Sequence, residues 1–191
     1  DGAALRESIS GLWVAMQEIA KSPSDTTNIS MLVSKAASFV ENATSVYKSF
    51  KEYQVNLNDQ VKNAITEINE IGKRIDELNK EISKIEVGGL ENANDLRDER
   101  DFLIDNLAGY GNIKYQEDIY GVVTIQFNGT DFVTSGRANE MKYTTDKDTG
   151  FVTPYWEHNL IWVPNAEGDK VQDYRSAQVF DLTEEISSAR D

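Results

Sequence analysis

Cysteine is absent from this chain of 191 residues, which excludes disulfides, thiolate nucleophiles and cysteine-ligated zinc together. Histidine occurs once, as His158, so a two-histidine zinc helix and a facial iron triad are excluded, and a Ser-His-Asp triad would hang on that one ring. His158 lies in the aromatic-rich stretch Pro154-Tyr155-Trp156-Glu157-His158 and reads as a packed or surface residue of a β region rather than a catalyst. No apolar run approaches the ~20 residues that a bilayer crossing needs, and mean hydropathy is -0.51, so no membrane-spanning helix is expected. Positive charge is also scarce: 19 Lys and Arg stand against 33 Asp and Glu, a net charge of -14. Phosphate-binding surfaces need clustered bases, and here the bases are scattered among carboxylates, which argues against a nucleic-acid partner. The opening Asp1-Gly2-Ala3-Ala4 has no initiating Met, basic n-region or apolar h-region, and the chain reads as a piece of a longer one.

What is present divides by period. Up to about residue 109 apolar residues recur at helical spacing with Pro23 the only proline, and from about residue 111 β-branched and aromatic residues alternate with polar ones between Gly, Asn and Asp clusters. The fold class expected is α+β: an elongated antiparallel helical bundle with one very long coiled-coil-like helix, followed by a small antiparallel β domain. The expected domains are a helical bundle over 1–110, a β-rich domain over 111–181, and the start of a truncated helix over 182–191.

The first helix is expected over about 3–20, with Leu5, Ile9, Leu12, Trp13, Met16, Ile19 and Ala20 on one stripe. It ends at Lys21-Ser22-Pro23, because a residue before proline is pushed out of the α region, and Asp25 or Thr27 can cap the second helix. From Leu32 a seam runs through Ala36, Phe39, Ala43, Val46, Phe50, Tyr53 and Leu57 in steps of four and three, and it resumes after one extra residue at Val61, Ala64, Ile68, Ile71, Ile75, Leu78, Ile82 and Ile85. A helix over about 28–86 would be about 85–90 Å long at a rise of about 1.5 Å per residue, a rod at one end of the molecule. The break after Leu57 either shifts the seam by about 100° or marks a bend; the shift is favoured. Lys62, Glu67, Lys73, Arg74, Glu77 and Lys84 belong to a mixed-sign solvated face. A third helix is expected over about 93–107, with Leu96, Leu103 and Leu107 inward. Because the first and third helices are shorter than the second, part of the long seam lacks an in-chain partner; either the chain dimerises there or further sequence supplies a helix.

Strands are expected at Ile113–Gln116, Tyr120–Phe127, Phe132–Val133, Glu140–Thr144, Tyr155–Val163 and Val171–Phe180, with Asn128-Gly129 as a hairpin turn. Chemistry has few candidates. Asp146-Lys147-Asp148-Thr149-Gly150 with Glu157 imitates a calcium loop, but glycine falls at position five instead of six and no helices flank it, so a polar turn is expected. The run Asn94-Asp95-Leu96-Arg97-Asp98-Glu99-Arg100-Asp101 reads as a capped helix start with ion pairs, Arg97 to Asp101 among them. Asn-x-Ser/Thr triplets at Asn28, Asn42 and Asn128 are of a kind chance produces readily. No catalytic residue, cofactor site or metal site is assigned.

The order of features, however, is specific. A helix with Leu12-Trp13 ending in Lys21-Ser22-Pro23-Ser24-Asp25, then Val33-Ser34-Lys35-Ala36-Ala37, then the segments Asn58-Asp59-Gln60-Val61, Ile68-Asn69-Glu70-Ile71 and Ile75-Asp76-Glu77-Leu78-Asn79, and finally the pattern set by Asn94, Leu96, Asp98, Arg100, Asp101 and Leu103, resemble the flagellar hook-associated protein 1 family over about residues 5–110. The resemblance implies a structural protein of the bacterial flagellum, not an enzyme, located outside the cell after passage through the flagellar export apparatus. It implies a place at the junction between hook and filament, with the hook protein, a second hook-associated junction protein, an export chaperone and copies of itself as partners. A chain without its terminal segments is then expected to be monomeric. Within the resemblance Asn94, Asp98, Arg100 and Asp101 cap and brace the third helix. The alternative reading is a coiled-coil adhesin or tail-fibre-like surface protein with a β head.

Overall fold

The computed structural model describes residues 2–87, 92–159, 161–164 and 169–173. Its elements are helices α1 (Gly2–Lys21), α2 (Thr26–Glu86) and α3 (Asn94–Ala108), and strands β1 (Ile113–Glu117), β2 (Val123–Phe127), β3 (Thr130–Thr134), β4 (Arg137–Ala138), β5 (Met141–Thr145), β6 (Val152–Trp156), β7 (Ile161–Pro164) and β8 (Lys170–Asp173), with a 3-10 turn at Glu157–Asn159. The class is α+β: helices that include one of 61 residues, then small antiparallel sheets.

The chain forms two compact units, one running to Leu57 and one beginning at Asn58. The secondary structure changes from helix to strand near residue 110, as expected, yet the compact units divide inside α2. The reason is the core. Ile65, Ile68 and Ile75 of α2 and Ile104 and Leu107 of α3 are buried in one cluster with Val123, Ile125, Phe127, Phe132, Val133, Met141 and Trp156 from the strands. The later half of the long seam therefore packs on a sheet as well as on α3. Leu78 and Ile82 continue the seam into a second cluster with Ala93, flanked by Leu96 and Leu103.

In the first unit, Ser22 N–H reaches Glu18 O at 3.2 Å to finish α1, and Asp25 Oδ1 caps α2 by accepting Thr27 N–H at 2.8 Å. Asn28 ties the two helices by donating to Glu18 O at 3.3 Å. Ala15 is buried, while Ile9, Trp13 and Met16 are about half exposed or more, so the expected stripe is rotated: the inward side carries Leu5, Leu12, Ala15 and Ile19. Phe50 and Tyr53 of the seam are 70% and 63% exposed; no described residue covers them.

α2 persists because no proline interrupts it, and its one glycine, Gly72, has a packing reason. A Cβ there would sit 2.2 Å from Phe132 Cζ, so the helix can lie on the sheet only where a side chain is missing. The sheet has the order β1-β2-β3-β4 and is antiparallel throughout. Asn128 (φ 48) and Gly129 (φ 79) both take positive φ, the two-residue turn that Asn-Gly favours, and the β2–β3 register shifts between Ile125 and Gln126, leaving Phe132 as the extra residue on β3. β5 and β6 form a hairpin, as do β7 and β8.

Several strand limits differ from expectation. Tyr120–Val122 lies in a turn, because Asp118 Oδ1 accepts the N–H groups of Tyr120 and Val122 at 2.8 and 2.9 Å and offers the backbone an alternative to the ladder. The segment 155–163 is broken by the 3-10 turn at Glu157–Asn159. Of the strand expected over 171–180 only β8 falls among the described residues, and the helix expected over 182–191 lies outside them.

Candidate functional site

Three asparagines on α2 join the helix to the strands. Asn58 donates Nδ2–H to Gly150 O at 2.8 Å and accepts Val152 N–H at 3.0 Å. Asn69 donates to Met141 O at 2.8 Å and accepts Met141 N–H at 2.9 Å. Asn79 donates to Val123 O at 2.7 Å and accepts Val123 N–H at 3.0 Å. Each carboxamide presents one donor and one acceptor side by side, as a neighbouring strand would, so three β segments find on α2 what an extra strand would have given them. The steps between these positions are close to three helical turns, which places them along one side, and each follows an apolar seam residue: Leu57, Ile68 and Leu78. Asn79 is the most enclosed, at 2% exposure, and its Oδ1 also accepts Arg100 Nη1 at 3.1 Å.

Arg100 begins the second feature. It is 1% exposed, donates from Nη1 to Gly121 O at 2.5 Å and from Nη2 to Glu117 Oε1 at 2.9 Å. Arg97, one helical turn earlier, holds Glu86 with both arms, Nε to Oε1 at 2.9 Å and Nη2 to Oε2 at 2.6 Å, and reaches Glu117 at 2.5 Å. Glu86 also accepts Ala93 N–H at 2.9 Å. Two arginines and two carboxylates thus lock the end of α2, the start of α3 and the β1–β2 hairpin into one network. The Arg97 hydrogen bonds, with the Ala93 N–H, bring the Glu86 pKa from its ordinary 4.5 to about 2. For Glu117 burial opposes the charged form, but hydrogen bonds from Arg100 and Arg97 outweigh it and hold the pKa below the ordinary value.

The hairpin so held carries Ile119 and Tyr120 at its tip, 89% and 62% exposed. Gly121 follows with φ +75, and a Cβ there would meet Arg97 Nη2 at 2.9 Å and Ile82 Cγ2 at 3.1 Å, so only glycine fits both the dihedral and the space.

The six residues of the sequence motif are therefore used unequally. Arg100 is buried at the centre of the network, and Leu96 and Leu103 pack against the Leu78–Ile82 cluster. Asn94 is the first residue of α3 and exposed; Ala93 holds the N-cap position and makes no side-chain cap. The capping acceptor comes instead from Glu86, across the connection. Asp98 and Asp101 are exposed and make no ion pair among the described residues. Arg97 does not pair with Asp101, because a two-armed, partly enclosed contact with Glu86 outcompetes an exposed pair worth only tenths of a kcal/mol, about 0.2–0.5.

Elsewhere, Asp146 Oδ1 accepts from Asp148 N–H, Thr149 N–H and Thr149 Oγ1 at 2.9, 2.7 and 2.9 Å, and Glu157 takes Lys142 Nζ at 2.6 Å, so the residues that imitated a calcium loop serve a turn and a cross-strand pair. The His158 ring lies 5.8 Å from that of Trp156, and burial lowers its pKa. Among the described residues no group of three or more His, Asp or Glu is placed to hold a metal.

Fold and site together define a scaffold-type α+β module: a long helix carrying a β domain on amide clamps, with its buried arginine fixing an exposed hairpin. A family model described as the flagellar hook-associated protein FlgK helical domain matches residues 1–172, and the chain belongs to that family. Flagellar hook-associated protein 1 of Bacillus subtilis (strain 168) is 27% identical over 114 residues, 60% of this chain and 22% of that protein. The structure of the flagellar hook junction protein FlgK from Burkholderia pseudomallei matches 81% of this chain and 27% of that one, with TM-score 0.71 and 16% identity, a likeness of fold. The chain spans under a third of the length of either protein.

Proposed function

We propose that this chain is part of a structural subunit of the bacterial flagellum, at the junction between hook and filament, with no enzymatic activity of its own. The observation that carries this reading is the family match over residues 1–172, on a fold whose defining elements are a helix of 61 residues and a sheet fastened to it. The same match favours the junction over an adhesin or tail fibre. The subunit acts outside the cell, reached through the flagellar export apparatus with an export chaperone, and it contacts the hook protein, a second junction protein and copies of itself. A buried cation and three amides, one of them buried, spent on positioning suit a part that must keep one shape while neighbours bind it. The test is a strain lacking the full-length gene. It should build hooks and release unpolymerised filament subunits into the medium, and normal filaments in that strain would refute the reading.

A further inference from the structure

Two surfaces of the second unit carry opposite charges, and among the described residues all but one of the side chains that make them up lack an ion pair within the chain. On α3, Asp95, Asp98, Asp101 and Asp105 are all exposed and make no ion pair among the described residues. At about 100° per residue they fall within one third of the helix circumference, over about 15 Å of axis. Phe102 stands among them, 65% exposed. On α2, Lys73, Lys80 and Lys84 share one face at steps of seven and four, over about 16 Å. Lys80 is fixed there by Asp76 Oδ2 at 2.5 Å, whereas Lys73 and Lys84 have no ion-pair partner among the described residues. Arg137 of β4 borders the same face, likewise without an ion pair among the described residues. Beside the lysines lies a shallow groove of about 320 Å³ whose lining includes Lys80, Ser83, Lys84, Val87, Val122 and Gly136; Val87 is 75% exposed.

These surfaces cannot meet within one molecule. α3 lies along the side of α2 that carries Ile71, Arg74, Leu78 and Ile82, and turns its aspartates away from it. The lysines instead border the β3–β4 turn. We propose that the aspartate stripe of one copy docks on the lysine stripe of the next, with Phe102 entering the groove beside Val87. This proposal rests on the junction reading and gives one of its self-contacts a location. A second copy is the occupant because both halves of the contact are present on this chain, with matching length, opposite sign and an apolar side chain facing an apolar-lined groove. Since the two patches differ, the contact is head-to-tail, the kind that closes rings or extends helical arrays. Without other segments to reinforce it the contact is weak, in keeping with the expectation that this chain is monomeric when dilute.

The absence of cysteine makes a trapping experiment clean. Asp101→Cys and Lys84→Cys chains, both altered at exposed positions, are mixed at high concentration and oxidised. The mixed disulfide is expected at several times the yield of either like pair, and should fall to the statistical yield in about 1 M salt, where screening reaches about 3 Å. Adding Asp98→Lys to the first chain should abolish the preference, and adding Lys80→Glu to the second should restore it. Statistical yields at low salt, or a preference that ignores both salt and charge reversal, would overturn the contact. Statistical yields together with a filamentless deletion strain would refute this contact alone; salt-sensitive trapping together with normal filaments would refute the junction reading alone.

Discussion

Gly72→Ala should destabilise the second unit, against the usual preference of helices for alanine. The added Cβ would lie 2.2, 2.8 and 2.9 Å from Cζ, Cε2 and Cε1 of Phe132, where carbon atoms prefer about 3.5–4.0 Å, so the ring or the helix must move by more than 1 Å. The ring has nowhere to go: Phe132 is fully buried, its centroid 5.3 Å from Trp156 and 6.2 Å from Phe127. Overpacking of this kind costs about 1–3 kcal/mol. The shift of more than 1 Å puts that cost at the upper end, about 2–3 kcal/mol; replacing glycine in a helix returns about 1 kcal/mol, leaving a net loss of about 1–2 kcal/mol and a fall in Tm of roughly 2–8 °C for a chain of this size. Urea unfolding followed by circular dichroism and by tryptophan fluorescence measures it. The double variant Gly72→Ala with Phe132→Leu should lose less than the sum of the two single changes, since the smaller side chain makes room for the methyl. A Gly72→Ala protein as stable as the parent, or single losses that simply add, would show that the close approach of helix and sheet does not constrain this position.

Asn79→Ala strands the N–H and C=O of Val123 and should cost about 1–3 kcal/mol in urea unfolding; Asn58→Ala, at a more open site, should cost less, and an equal loss at both would contradict the difference in burial. Arg100→Met leaves Glu117, Gly121 O and Asn79 Oδ1 short of donors, and a loss of about 2–3 kcal/mol is expected, with faster amide exchange across 117–123; unchanged exchange there would mean that Arg100 does not hold the hairpin. Acid should weaken the fold through Glu86. Its folded pKa of about 2 lies below the ordinary 4.5, so the native state favours the charged carboxylate: its contribution is whole above pH 4.5 and is lost as pH falls towards 2. Arg97→Gln should flatten the stability profile over that interval, and a variant with the parent's slope would remove Glu86 from the account.

The helices were legible because their signals are local. Pro23, the four-and-three seam and the run beginning at Asn94 set limits that differ from the observed ones by no more than two residues, and Asn128-Gly129 announced its own turn. The clamps were not legible as clamps. Asn58, Asn69 and Asn79 sit beside the seam like any polar heptad residue, and their partners lie 92, 72 and 44 residues away, a separation that leaves no period to read. The spacing of apolar-Asn pairs along α2 is the one trace they leave. Arg100 was named by the resemblance as a bracing residue, but its burial and its partners were hidden, since a charged side chain in a polar run reads as surface until Gly121 O and Glu117 are brought to it by the fold. Asp118 overrode the β propensity of Tyr120–Val122 with two hydrogen bonds that its sequence position permits but does not require.

The amide clamps have a mechanical corollary. The three stand one after another along a single helix, each gripping backbone with paired bonds, Asn58 and Asn69 on the β5–β6 hairpin and Asn79 on β2, so a tug on the hairpin parallel to the helix axis loads Asn58 and Asn69 side by side. A pull at right angles would instead open them singly, like a zip. Because carboxamides do not titrate and are little affected by ionic strength, the grip would survive changes in the surrounding medium that loosen the carboxylate–arginine lock nearby. Fastening the strands with uncharged amides separates how firmly they are carried from the salinity and acidity of the surrounding medium.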